Sequence, residues 1–296
     1  MKSNSRTIGV IFWLVAVLEA PKPLRQPSSL PRSAKPFSFL RCCGSFHFMC
    51  GRYRLTRRRM LEIEHYYEIE DLQDLEIWKR EYNIPPREMA PIVLKAHGRR
   101  CLSAGLWSLL GPWAETLEHA NRASTFNAKA ETLADRPAYR NAFLKRRCVV
   151  PAEAFYEWVG PKKARQPLNI ARKDGKLLSM AGLFNYWKPA ASEGRPMLTF
   201  TVVTTAPNQW MTRIHNRMPV ILEDDLINTW LDPAISDPRA LEALLKAPPE
   251  SFLECYPVSR KVNSVRFDEP EYAERIDLDW SRLIVSDASE KSTESP

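Results

Sequence analysis

Nothing in this 296-residue chain is long, repeated or regularly spaced. Its main apolar run, "IGVIFWLVAVL" at 8–18, falls short of the roughly 20 residues needed to cross a bilayer. No membrane partner is expected. Six cysteines, at 42, 43, 50, 101, 148 and 255, form no framework, which argues against a disulfide scaffold and for a reduced, cytoplasmic setting. Glycine is scarce, ten residues against 24 prolines, so rigid loops should join short elements. Acids are nearly missing from the first 48 positions, where seven basic residues face Glu19 alone. That segment carries +6 of the total +8, leaving +2 for the other residues. A nucleic-acid partner would therefore need a local basic patch, because the bulk field is weak.

What is present points to a folded domain. Hydrophobic residues make up 44% and there are nine tryptophans, enough to build a core. Lys2 and Arg6 precede the apolar run, Ala20 follows it, and a Pro/Ser/Arg-rich stretch comes next. The pattern is either an export signal or residues upstream of a true start at Met49. The expected organisation is a removable extension at 1–48, one domain at 49–280 and a disordered tail at 281–296.

The domain reads as α+β, and mainly β. "APIVLKA" (90–96), 146–159, 177–188 and 197–207 carry the β-branched and aromatic residues of buried strands. Residues 55–82 are charged and periodic and should contain a helix. The spacing at 218–232 predicts a strand followed by an Asp-capped helix ending at Asp232, before Pro233, and 237–248 reads as a short amphipathic helix.

Residues with chemical potential come from separate segments. "MCGRY" (49–53) reads like the opening of a protein yet stands 48 residues inside one. If Cys50 were the first residue of the working chain, amine and thiol would sit on neighbouring carbons. Taken alone, a buried cysteine is the simpler reading. Cys42, Cys43, His47 and Cys50 suggest zinc, but adjacent cysteines seldom share one ion and no second pair follows at finger spacing. No metal or other cofactor is expected. "STFNAKAET" (124–132) alternates Asn127, Lys129 and Glu131, which an extended segment would turn to one face. Glu157, between Tyr156 and Trp158, is a carboxylate in an aromatic setting suited to proton transfer. His215 precedes an apolar strand, with Arg217 two residues on, and histidine is the commonest general acid or base. Each of these is also compatible with an ordinary structural role.

Taken together they form an ordered set: "MCGRY", "YNIPP" (82–86), "LWSLLGPW" (106–113), "NAKAET" (127–132), "CVVPAEAFYEW" (148–158), "TTAPN" (204–208), "IHNRMPVIL" (214–222) and "VSRKVN" (258–263). In that order, over about 49–265, the chain resembles the SOS-response-associated peptidase family. The resemblance implies a single domain with a β-rich, barrel-like core and peripheral helices. It also implies covalent capture of abasic sites in single-stranded DNA through an N-terminal Cys50, by way of a Schiff base and then a thiazolidine.

Carried onto matching positions, the resemblance makes Asn127 an orienting residue, Glu157 a proton carrier and His215 an aid to sugar ring opening and crosslink release. Arg52 and Arg217 would grip phosphates, with Asn83 and Lys129 alongside them at the DNA surface. Trp107 and Trp113 would supply stacking surfaces. Lys129 replaces the usual arginine, which keeps the charge and loses the bidentate fork; Ser108 replaces a glycine and Pro85 an alanine. A monomer is expected. Two other classes stay open: a secreted cysteine hydrolase using Cys50 or Cys148 with His215, and a non-covalent binder of single-stranded DNA.

Overall fold

β-Branched and aromatic runs form the strands expected of them in the computed structural model, which describes residues 51–116, 124–161, 163–188 and 196–283. These lie within one unit, His47–Pro296. The strands are β1 (Tyr53–Arg54), β2 (Asp71–Gln73), β3 (Met89–Ala96), β4 (Arg99–Trp107), β5 (Asn127–Lys129), β6 (Arg147–Ala152), β7 (Ala154–Val159), β8 (Gln166–Arg172), β9 (Leu178–Trp187), β10 (Met197–Thr205), β11 (Met218–Pro219) and β12 (Leu253–Pro257).

Five of them close a barrel. β10 pairs antiparallel with β9, β9 with β6, β6 with β3 and β3 with β4, and β4 returns to β10 in parallel at Leu106–Thr199 and Trp107–Phe200. A ring this small is filled by its own side chains. Crowding explains Gly182, which sits on β9 opposite Cys148 of β6 and Val202 of β10. A Cβ there would come within 2.9 Å of Cys148 Sγ and 3.0 Å of the Thr201 carbonyl. A second sheet, ordered β1-β7-β8-β12, accompanies the barrel.

Helices pack outside. Arg147, at the start of β6, donates to the carbonyls of Phe143 (2.9 Å), Leu144 (2.7 Å), Trp230 (2.7 Å), Ile235 (3.0 Å) and Asp232. One buried guanidinium thus satisfies the orphan carbonyls at the ends of helices Pro137–Lys145 and Ile227–Leu231.

The α+β, barrel-cored reading holds, with differences in detail. The 55–82 helix is confined to Met60–Tyr66. At 218–232 a 3-10 turn, Asp224–Leu226, precedes the helix, and no aspartate caps it. Asp224 instead accepts from Arg172 Nη1 (2.6 Å) and the Tyr66 hydroxyl (2.6 Å). The helix expected at 237–248 spans only Pro238–Glu242, capped by Asp237, because the following turn tightens into Leu241–Leu244 and Glu242–Leu245 bonds.

Candidate active site

β1 lies antiparallel to β7, with Tyr53 opposite Phe155 and Arg54 opposite Ala154. Tyr156 N–H donates to the Arg52 carbonyl at 2.9 Å. Continuing this register sets Gly51 opposite Glu157. Glu157 is only 2% exposed and shares a strand face with Phe155 and Val159, both core residues. Cys50 lies outside the described residues.

Arg52 is held from several sides. Its Nη1 donates to Asn83 Oδ1 (2.6 Å) and the Val262 carbonyl (2.8 Å), its Nε to the Gly51 carbonyl (3.3 Å), and its guanidinium lies 5.7 Å from the Trp158 ring centroid. Burial, together with the Arg80 charge, pulls its pKa down to about 10, so it stays protonated at neutral pH. Asn83, expected at the DNA surface, is fully buried. Its Nδ2 donates to the Ser264 carbonyl (2.8 Å) and its N–H to Asp268 Oδ1 (2.7 Å). It positions Arg52 and presents nothing to a ligand.

A second group gathers at the C-terminal half of β10. β5 runs beside it with Asn127 opposite Val202 and Lys129 opposite Thr204, and β11 pairs at Thr204–Thr205. Lys129 is exposed and Asn127 half-buried. The strand stops at Lys129, however, and Glu131 falls in a 3-10 turn, Ala130–Thr132. Glu131 instead clamps Arg217, whose Nη1 donates to Oε1 and Nη2 to Oε2 (2.9 Å), with a further bond from Nη2 to the Thr204 carbonyl (2.6 Å). The Arg217 bonds hold the Glu131 carboxyl below its ordinary range, against the opposing effect of partial burial. His215 Nδ1 accepts from the Arg217 N–H at 3.2 Å, which places the proton of the neutral ring on Nε2.

The two tryptophans differ. Trp107 is 0% exposed, so it offers no face to a base. Its ring meets Tyr53 edge-on at 5.0 Å and its Nε1 donates to the Phe126 carbonyl at 2.8 Å. It joins β1, which leads from Cys50, to the segment entering Asn127. Trp113 is 44% exposed and lines a cleft.

Sequence reasoning missed a buried cluster behind β1. Glu153 accepts from Arg54 Nη1 (2.6 Å), Thr56 N–H (2.9 Å) and Thr56 Oγ1 (2.5 Å), while Arg54 Nε donates to Asn169 Oδ1 (3.1 Å). The Glu in "VVPAEAF" is two positions from a proline and among apolar residues, the one sequence hint that it is buried. Cys148, the alternative hydrolase nucleophile, is fully buried, and burial pushes its thiol well above the ordinary value. That excludes it as a nucleophile. Among the described residues no group of three His, Cys, Asp or Glu could hold a metal, and no helix is long and apolar enough to cross a membrane. The Cys42, Cys43, His47, Cys50 set lies outside those residues.

Fold and site define a barrel-centred α+β domain whose N-terminal strand runs alongside a buried carboxylate, with an Asn–Lys–His–Arg group at the end of a barrel strand. The chain belongs to the SOS response associated peptidase (SRAP) family, whose profile matches residues 49–265. It is 36% identical over 228 residues to the abasic site processing protein YoqW of Bacillus subtilis, covering 76% of this chain and 99% of that one. It is 31% identical over 281 residues to the abasic site processing protein HMCES of Gallus gallus, covering 82% and 83%. A crystal structure from Bacteroides thetaiotaomicron superposes with a TM-score of 0.67 at 23% identity, covering 77% of this chain and all of that one. The latter likeness speaks to the fold.

Proposed function

We propose that this protein processes abasic sites in single-stranded DNA by trapping them covalently on Cys50. The observation that carries the reading is the β1–β7 register, which sets Gly51 opposite the buried Glu157. Cys50 is bonded to Gly51, so its Cα is about 3.8 Å from that of Gly51. The family membership and the names of the relatives support the same reading.

The ring-opened abasic sugar presents an aldehyde. The Cys50 α-amine adds to its carbonyl carbon, water leaves, and a Schiff base forms. The thiol then adds to the C=N carbon and its proton passes to nitrogen, closing a five-membered thiazolidine. One water is lost overall. A thiol without the neighbouring amine gives only a labile hemithioacetal. Glu157 moves the protons, Asn127 orients the amine and the sugar, and His215, with Nε2–H as donor, assists ring opening and reversal. Arg52 keeps Nη2 for a phosphate, since its own bonds use Nε and Nη1. Lys129 adds charge at the β10 end, and Arg217 reaches DNA only by exchanging Glu131 for phosphate.

A free amine requires that the chain begin at Cys50. Initiation at Met49 followed by methionine removal supplies it. So does self-cleavage, in which the Cys50 thiol takes up the Met49 acyl group and water hydrolyses the resulting thioester. In either case residues 1–49 are no part of the working domain, which begins at Cys50.

Incubated with an abasic oligonucleotide and run on a denaturing gel, the wild-type protein should give a heat-stable shifted band. Cys50→Ala should give none. An equal band from both would defeat covalent capture by Cys50, and a band from neither would leave a non-covalent binder.

A further inference from the structure

The turn at 80–84 is wrapped around a carboxylate from late in the chain. Asp268 Oδ2 accepts from the Glu81 N–H (2.7 Å), and Oδ1 accepts from the N–H groups of Tyr82 (2.9 Å) and Asn83 (2.7 Å). Three successive backbone donors converging on one anion form a nest. Arg80 ties the same two segments together, donating from Nη2 to the Phe267 carbonyl (2.7 Å) and from Nε to the Asn83 carbonyl (3.0 Å). Asp268 lies three residues beyond the 49–265 span that the family profile matches.

What the nest holds in place is Asn83. Its buried side chain donates from Nδ2 to the carbonyls of Ser264 (2.8 Å) and Phe267 (3.3 Å), which turns Oδ1 toward Arg52 Nη1 at 2.6 Å. The turn also braces the strands of the site. Ile84 exchanges both backbone bonds with Tyr53 (2.9 and 3.2 Å), and the Tyr156 hydroxyl donates to the Tyr82 carbonyl at 2.9 Å. The segment before Asp268 supplies the Val262 carbonyl to Arg52 Nη1 (2.8 Å) and Asn263 Oδ1 to Trp158 Nε1 (2.6 Å), the indole that faces the guanidinium. Arg52 is thus aimed by groups whose placement depends on the 81–83 turn and on the chain leading to Asp268.

Loss of the carboxylate acts along this path. Asparagine at 268 has the same shape but a single acceptor oxygen, and its NH2 would meet either the Glu81 N–H or those of Tyr82 and Asn83. Donors facing each other at that distance are left unsatisfied. The turn has to shift, and Asn83 Oδ1 shifts with it.

We propose that Asp268 is a positioning residue for the phosphate contact of Arg52, acting through the 81–83 turn and Asn83. The proposal rests on the single-stranded DNA reading above. Its test is a double-mutant cycle on the affinity of the full chain for an undamaged fluorescent oligonucleotide, measured over a range of salt, a readout that does not need Cys50. Asp268→Asn should weaken binding by about ten-fold, the size of one charge-assisted hydrogen bond. The slope of log affinity against log salt should become shallower by about 0.7, the share of one phosphate on a single strand. Asp268→Ser leaves room for water at the vacated acceptor positions, so the fold is spared, and it should show the same two changes. In an Arg52→Ala background neither substitution should alter affinity by more than about two-fold, the limit of simple additivity. A residue that only stabilises the fold would lower the urea midpoint and leave the salt slope alone. Equal losses with and without Arg52 would overturn the proposal, as would a wild-type slope in both Asp268 variants or wild-type binding by Arg52→Ala. The coupled pattern in a protein that forms no adduct with abasic DNA would uphold the positioning role and defeat the capture reading instead.

Discussion

Replacing Glu157 with glutamine is expected to slow adduct formation with abasic DNA by about 10²–10⁴-fold, the usual contribution of a positioned general acid–base group. Glutamine keeps the size and one oxygen of the side chain but cannot take up or give back a proton. Three steps of the proposed sequence move protons: loss from the attacking amine, departure of water from the carbinolamine, and transfer from thiol to nitrogen at ring closure. Glu157 is buried on β7 across from Gly51, so bulk buffer has poor access to replace it. The adduct is followed by quenched time points at saturating DNA, where a change in affinity cannot pass for a change in rate. A Glu157→Gln protein that crosslinks at the wild-type rate would remove the carboxylate from the chemistry.

The second large effect is on stability. Glu153→Ala is expected to cost about 3–5 kcal/mol at neutral pH, because it strips a buried guanidinium of its counter-charge. Arg54 would keep only Asn169, and the Thr56 N–H and hydroxyl would each lose an acceptor. Urea unfolding of wild type and variant measures the difference, and Arg54→Leu/Glu153→Leu should recover part of it by removing both charges.

The pH dependence has a definite sign. Burial alone would raise the Glu153 carboxyl, but the Arg54 charge and the Thr56 bonds outweigh it and leave the group below its ordinary 4.5. A depressed folded value means that stability is fully present above pH 4.5 and lost as pH falls through the folded pKa. The gap between wild type and Glu153→Ala should therefore close in acid. Arg54 ends β1, the strand that leads from Cys50, and Thr56 follows two residues on, so the same variant should also lower the adduct rate.

The residues proposed for the chemistry stand in short, ordered segments, each with a recognisable neighbourhood: Met-Cys-Gly-Arg-Tyr, Asn-Ala-Lys, Tyr-Glu-Trp and His-Asn-Arg, and the family was legible from their order. The strands β3, β6, β9 and β10 were legible too, since strands buried on both faces read as continuous apolar runs. β4 was not. "RRCLSAGLW" holds Ser103, Ala104 and Gly105, which are weak strand formers, and small residues are needed where β10 presses close: a Cβ on Gly105 would meet Leu198 Cγ at 3.2 Å.

Missing β4 also hid the fate of Trp107. Its pairing with Phe200 closes the barrel and takes the indole into the core, whereas Trp113, six positions on, stays outside. No local pattern separates the two. Likewise the alternation of Asn127, Lys129 and Glu131 suggested one continuous face. A 3-10 turn follows Lys129 instead, and the Glu131–Arg217 clamp joins residues 86 positions apart.

The intact mass of the protein that actually forms the adduct tests the central claim most directly. Expressed from Met49 or from Met1, active material should have the mass of a chain beginning at Cys50, and the crosslinked species that mass plus the oligonucleotide less one water. An adduct-forming chain that still carries Met49, or anything else acylating the Cys50 nitrogen, would contradict capture by an aminothiol.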